Sequence, residues 1–245
     1  MCGIAGIVGP NARGLKAPLQ AMTDRIAHRG PDGEGRLFFD GAALGHRRLS
    51  IVDLEGGAQP LTSRDEKLAV VFNGELYGYR ELLGSLAGQY PFKTRCDTEL
   101  LLALYRAGDP AAWISRLRGM FAFALWDENT RTLTCARDPF GEKPFYYAYG
   151  PSGELVFASE VKALLASGLI TPKVRSESLA FYLRRLYVHP TKTIFENVHC
   201  LPPAHYLVFK DGKTTVGRSG RRPPSTTRSA RRTRAASFAG FSRTP

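Results

Sequence analysis

Met1-Cys2-Gly3-Ile4-Ala5-Gly6-Ile7-Val8-Gly9 places a cysteine directly behind the initiator methionine, followed by extended apolar residues and glycines. Removal of Met1 makes Cys2 the first residue, with a thiol and a free α-amine on one carbon skeleton. An α-amine titrates at about 7.7–8.0 and a thiol at about 8.5, so one residue carries a nucleophile and a base matched to neutral pH. The apolar run reads as a buried strand. Alone, the stretch leaves two readings open, a reactive terminus and an ordinary cysteine in a frayed one. The rest of the chain has to choose between them.

A chain of 245 residues allows one large domain or two small ones, and 43% hydrophobic with 23% charged residues describes a soluble globular protein. No run of about 18 apolar residues offers a spanning helix, and no basic segment precedes an apolar one at the start, so a cytoplasmic protein with no membrane partner is expected. Cys2, Cys96, Cys135 and Cys200 are widely spread. That spacing suggests neither a disulfide framework nor a metal site, and a reducing compartment keeps a catalytic thiol available. The net charge of +12 invites a nucleic-acid reading, but residues 217–245 hold eight arginines and no acidic residue; without them the charge falls to +4.

Outward from the start, Leu15, Leu19, Met22 and Ile26 mark one face of a helix, which His28-Arg29-Gly30-Pro31-Asp32-Gly33 stops. Residues 36–39 and 42–46 flank an Asp40-Gly41 turn as a hairpin, and residues 67–72 form a strand running into Asn73-Gly74. Asp97-Thr98-Glu99 opens a helix ending near Gly108, and Asp109-Pro110 opens a short one. Strands follow at 119–126, 131–137, 144–149 and 154–158, helices at about 160–167 and 176–186, and a hairpin begins at 205–210 and 213–216. Strands joined by short turns with helices grouped between them predict antiparallel sheets covered by helices. After residue 216 the second hairpin strand loses its apolar alternation and becomes rich in Arg, Pro, Ser and Thr. A disordered tail over 217–245, out of frame with a longer protein cut at this point, is expected.

Beside Cys2 stand His46-Arg47-Arg48-Leu49-Ser50-Ile51-Val52-Asp53, Phe72-Asn73-Gly74-Glu75-Leu76-Tyr77 and Cys96-Asp97-Thr98-Glu99. Singly these read as a solvated arginine pair, a hairpin turn and a helix cap. Together with HRGPDG, GHRRLSIVDLEGGAQPL, VVFNGELYGYREL, CDTELLLALY, GMFAFALWD, ARDPFGEKPFYY, FASEVKALL and LPPAHYLVF, in this order over about residues 2–216, they resemble the class II glutamine amidotransferases. These are N-terminal-nucleophile enzymes, and the similarity is greatest to the amidotransferase domain of glutamine-hydrolysing asparagine synthetases.

The resemblance implies an α+β fold, a four-layer αββα N-terminal-nucleophile hydrolase sandwich of two antiparallel sheets. It also implies hydrolysis of L-glutamine to glutamate and ammonia through a Cys2 thioester. Asn73, through its side-chain amide, and Gly74, through its N–H, match the family's oxyanion hole, whose donors must face the charge that develops. Arg48 matches the arginine that binds the substrate carboxylate, for which a planar fork is suited. Asp97 matches the partner of the substrate ammonium, Glu75 belongs to the same set, and the backbone of Leu49, Ser50, Ile51 and Val52 completes the glutamine-binding segment. His28-Arg29 reads as a loop shaping the site, His46 as structural, Cys96 and the aromatics Phe121, Phe123 and Trp126 as packing.

This domain needs no cofactor and no metal on that reading; ATP and magnesium are implied only for a synthetase domain with an S-G-G-x-D-S loop, which the chain lacks. The expected partner is L-glutamine, with a homodimer allowed. Two other readings stand beside it. One is an inactive remnant without its synthetase half; the other is nonspecific nucleic-acid binding by the arginine tail, unsupported by any aromatic interleaving.

Overall fold

A computed structural model describes residues 1–50, 57–86, 88–106 and 108–219. In chain order the elements are β1 (Gly3–Val8), α1 (Lys16–Arg25), β2 (Gly33–Phe38), β3 (Ala42–Arg48), β4 (Leu61–Thr62), β5 (Leu68–Leu76), α2 (Tyr79–Leu86), α3 (Asp97–Tyr105) and α4 (Pro110–Ile114). They continue with β6 (Gly119–Asp127), β7 (Thr132–Arg137), β8 (Tyr146–Tyr149), β9 (Leu155–Ala158), α5 (Val161–Ala166), α6 (Ser176–Arg185), β10 (Val198–Cys200), β11 (His205–Lys210) and β12 (Lys213–Arg218).

Two six-stranded antiparallel sheets result, one in the order β10-β8-β9-β1-β3-β2 and the other β12-β11-β7-β6-β5-β4. The period of 2 along each strand sorts side chains between layers. In β1, Ile4 and Val8 enter the core between the sheets while Ala5 and Ile7 pack on the outside with Leu19, Met22, Ala163 and Leu164 of α1 and α5. In β5, Ala69 and Val71 face the inter-sheet core, and Leu68, Val70 and Phe72 face Leu100, Leu101 and Leu104 of α3. A strand buried on both faces has no polar side to show, which is why β1 reads as an unbroken apolar run. The layers are therefore helix, sheet, sheet, helix, as the resemblance implied. Gly6 sits at the closest approach inside that core, where an added Cβ would run into the Phe157 ring. Phe121, Phe123 and Trp126 are buried, as read from the sequence.

Several local expectations change. Asn73-Gly74 is not a turn: β5 continues through it to Leu76, with Asn73 opposite Ala122 and Gly74 opposite Phe121. The long β6 ladder overrides the turn preference of the dipeptide. Asp97 is not the cap of α3; Cys96 holds that position, with no side-chain capping bond. Asp109 does cap α4, accepting from the Ala111 N–H. The boundary at 216 also moves. Gly217 and Arg218 stay in the β11–β12 ladder opposite Tyr206 and His205, and the Ser219 N–H donates to the Ala204 carbonyl at 2.8 Å. The Tyr206 ring lies over Gly217, where a Cβ would collide with it. The remainder of the expected tail, residues 220–245, lies outside the described residues.

His46 on β3 is wholly buried and its Nε2 lies 3.1 Å from the Phe72 carbonyl. Burial pushes its pKa from 6.5 down to about 4, against the Phe72 hydrogen bond and with help from the Arg48 charge. A base whose folded pKa lies below its unfolded value binds fewer protons when folded, so stability holds above pH 6.5 and drops as pH falls from there towards 4. The difference corresponds to about 3 kcal/mol at 1.36 kcal/mol per unit. Urea unfolding across that window should show this loss, and His46→Gln, which keeps a donor for Phe72 without titrating, should flatten it. A wild-type stability unchanged between these pH values would rule out a neutral, buried His46.

Candidate active site

Cys2 stands one residue before β1, and antiparallel pairing of β1 with β3 brings Gly3 opposite Arg47, so Arg48 and Leu49 arrive beside the thiol. The Leu49 N–H lies 3.4 Å from Cys2 Sγ, and the thiol in turn lies 3.7 Å from the Leu49 carbonyl. The other sheet contributes Asn73, Gly74 and Glu75 from β5, and α3 contributes Asp97 from its first residue. Cys2, Arg48, Leu49, Asn73, Gly74, Glu75 and Asp97 line a single cleft with about 150 Å³ of free volume. Residues separated by nearly a hundred positions in sequence thus converge on one concavity.

The nucleophile end is held by its main chain. Arg29 Nε donates to the Cys2 carbonyl at 2.9 Å, and Arg29 Nη1 pairs with Glu160 at 3.0 Å. Glu160 also takes His28 at 2.8 Å and Lys162 at 3.0 Å. Burial would raise the Glu160 pKa, but the hydrogen bonds from Arg29, Lys162 and His28 overcome it and hold the carboxyl at about 2. The His28-Arg29 segment therefore acts on the site through a clamp on the first peptide group.

Asn73 is 1% exposed, and among the described residues its Nδ2 has no hydrogen-bond partner. A buried amide donor left open is uncommon, because it forfeits its hydration without recompense. At Gly74 an added Cβ would strike the Met120 carbonyl and lie 2.7 Å from the Phe121 Cα, so glycine is needed for the close approach of β6 rather than for a turn. Asp97 Oδ2 accepts from the Leu76 N–H at 2.9 Å, tying the start of α3 to the end of β5. Burial raises the Asp97 pKa above the usual carboxylate value, hydrogen bonds from Leu76 and Thr98 oppose this, and the Glu75 charge adds to the rise. Two carboxyl groups lining one cleft suit a cation between them.

The remaining expected residues fall differently. The Ser50 N–H donates to Asp32 Oδ2 at 2.8 Å, and Ser50 does not line the cleft. Ile51 and Val52 lie outside the described residues. Cys96 lines the cleft but is buried, and burial pushes its thiol up, which disfavours the reactive thiolate. The sequence reading missed Gln59, whose Oε1 accepts from the Phe72 N–H at 2.7 Å, and Lys143, both of which line the cleft. Both lie inside quoted motifs, Gln59 in GGAQPL and Lys143 in FGEKPFYY, but nothing in those motifs marked them as facing the cleft. Among the described residues no cluster of three or more His, Cys, Asp or Glu could hold a metal ion, and no helix is long and apolar enough to cross a membrane.

Solved structures share this fold. The allosteric regulatory enzyme of purine biosynthesis superposes with a TM-score of 0.65 at 22% identity, covering 89% of this chain and 49% of that one. The glutamine phosphoribosylpyrophosphate amidotransferase of Bacillus subtilis gives 0.61 at 22%, with the same coverage. The chain belongs to the glutamine amidotransferase domain family, whose model matches residues 1–219. Among relatives, asparagine synthetase [glutamine-hydrolyzing] 1 of Bacillus subtilis is 38% identical over 221 residues, 88% of this chain and 34% of its own length. Amidase chry2 of Gibberella zeae is 39% identical over 224 residues, 86% of this chain and 32% of its own. The chain spans about a third of the length of these curated relatives.

Proposed function

We propose that this chain, once Met1 is removed, hydrolyses L-glutamine to glutamate and ammonia, and that it represents the ammonia-supplying half of ATP-dependent asparagine synthesis from aspartate. The open Nδ2 of Asn73, buried in the same cleft as the Cys2 thiol, carries the reading: an unpaired buried donor is what an oxyanion hole presents before substrate arrives.

The α-amine of Cys2 takes the thiol proton as Sγ attacks the side-chain amide carbon of glutamine. The tetrahedral oxyanion faces Asn73 Nδ2 and the Gly74 N–H. Collapse breaks the C–N bond, the α-ammonium returns its proton to the departing ammonia, and water then hydrolyses the thioester to glutamate and free thiol. Arg48 pairs with the substrate carboxylate; Asp97, with Glu75, pairs with its ammonium; the Leu49 backbone lies along the substrate. A reducing cytoplasm suits a mechanism that depends on a free thiol. Aspartate as the final ammonia acceptor is supported by the naming of the bacterial relative.

Purified protein whose mass shows Cys2 as its first residue should release glutamate and ammonia in equal amounts from L-glutamine. No release from such a sample would overturn the reading and favour an inactive remnant. Arg48→Lys and Asp97→Asn each remove a charge-assisted contact made equally in ground and transition states. Each should raise KM about 10–100-fold with kcat little changed; a fall in kcat at unaltered KM would remove both residues from substrate recognition.

A further inference from the structure

Lys143 lines the Cys2 cleft yet enters none of these steps. Its main chain is fixed on both sides: the N–H donates to Asp138 Oδ2 at 2.9 Å and the carbonyl accepts from Arg137 Nε at 2.7 Å. The side chain is buried, with 7% of the residue exposed, and its ammonium donates to Met1 Sδ at 3.3 Å. A thioether is a weak acceptor. Among the described residues no ion pair engages this cation, whereas the neighbouring Arg29 is matched by Glu160. A buried charge set against a group that is cleaved away before the enzyme works calls for a partner in the mature protein.

The covalent path from Met1 Sδ to the Cys2 nitrogen spans at most about 6 Å, so the Lys143 ammonium stands within about 9 Å of the future terminus. We propose that Lys143 keeps the α-amine of processed Cys2 in its unprotonated form, ready to act as the base. Use of that amine in turnover rests on the glutaminase reading; the charge effect on the amine does not. A second positive charge is disfavoured beside the first. Across about 9 Å at an effective dielectric of about 20, the effect is on the order of one pH unit.

The other charges around the terminus define why a cation is needed. Glu75 from β5 and Asp97 from α3 pull the amine towards protonation, and Arg48 at the end of β3 opposes them. Arg29 is paired with Glu160, which also binds His28 and Lys162. His46, behind Phe72, is neutral at working pH, and Cys96 is a buried thiol pushed up by burial. Asp138 is engaged by the N–H groups of Phe140, Glu142 and Lys143. Lys143 balances the second carboxylate. Its removal shifts the α-amine towards its ammonium form, which cannot accept the thiol proton.

The test titrates the amine directly. In a Cys2→Ser background with Met1 removed, trace acetic anhydride labelling of the N-terminal peptide, read by mass spectrometry across neutral pH, gives the amine's midpoint. Lys143→Gln and Lys143→Met should both raise the midpoint by about one unit, while Lys143→Arg should leave it within about 0.3 unit. Two substitutions of different shape keep the comparison standing if one of them fails to fold by circular dichroism. In the protein with Cys2 intact, the acid limb of kcat/KM should move by the same amount. An unchanged midpoint in the Gln and Met variants overturns the proposal, as does an equal rise in the Arg variant, which would trace the effect to shape. If no variant and no wild type hydrolyses glutamine, the glutaminase reading fails while the labelling still decides the role of Lys143.

Discussion

Cys2→Ala should reduce glutamate and ammonia release to background, a loss greater than about 10⁴-fold, with the fold intact. On the proposed mechanism the thiol is the nucleophile, and an alanine in its place would leave substrate bound with nothing to attack it. The scaffold does not depend on the sulfur. Among the described residues its hydrogen bonds are to the Leu49 backbone, at 3.4 and 3.7 Å, and Arg29 holds the residue through its carbonyl, which alanine retains. Retention of Met1 gives an informative companion. The thiol is then present and alkylatable, but the nitrogen that should take its proton is locked in an amide bond, so turnover should fall to the same background. A Met1-bearing sample as active as one beginning at Cys2 would remove the α-amine from the mechanism.

Asn73→Ala should lower kcat by about 10²–10³-fold with little change in KM, since on the proposed mechanism the amide donates only to charge that appears in the transition state. Stability should stay within about 1 kcal/mol of wild type, because the deleted Nδ2 has no partner to lose. Most buried amides behave oppositely, costing stability when removed, so the pair of measurements separates a donor kept open for substrate from one that supports the fold. A large drop in unfolding free energy together with an unchanged kcat would assign Asn73 to structure.

Much of this site was legible because a few residue types are scarce solutions to physical demands. A cysteine that becomes a terminus, an arginine at the end of a strand and an aspartate at the start of a helix are each ambiguous, but their order along 97 residues narrows the reading to a family. The inner and outer faces of β1 and β5 were legible as apolar runs. Asn73-Gly74 misled at the level of local structure because its turn preference is intrinsic while its strand conformation comes from nine paired positions with β6. The two-residue β4 and three-residue β10 are too short to show a period, and α2 was missed although it packs Leu82, Leu83 and Leu86 beside the α3 cluster. Lys143 was not recognised as part of the site because its contact to the terminus crosses 142 positions, and Arg29, read as part of a loop shaping the site, gave no sign of its bond to the Cys2 carbonyl 27 positions away.

Cys2 hangs from one sheet and Asn73 and Gly74 from the other, so the space separating the proposed attacker from its proposed stabilisers is set by the filling between two slabs. That filling is the core between the sheets, with Ile4, Val8, Leu44 and Phe157 from one and Val71, Ala124, Leu133 and Leu207 from the other. The hydrocarbon in the middle of the molecule therefore acts as a calliper. Trimming or padding it changes reactivity at a distance, through spacing alone, and a displacement near 1 Å is enough to matter as much as losing a hydrogen bond at the cleft.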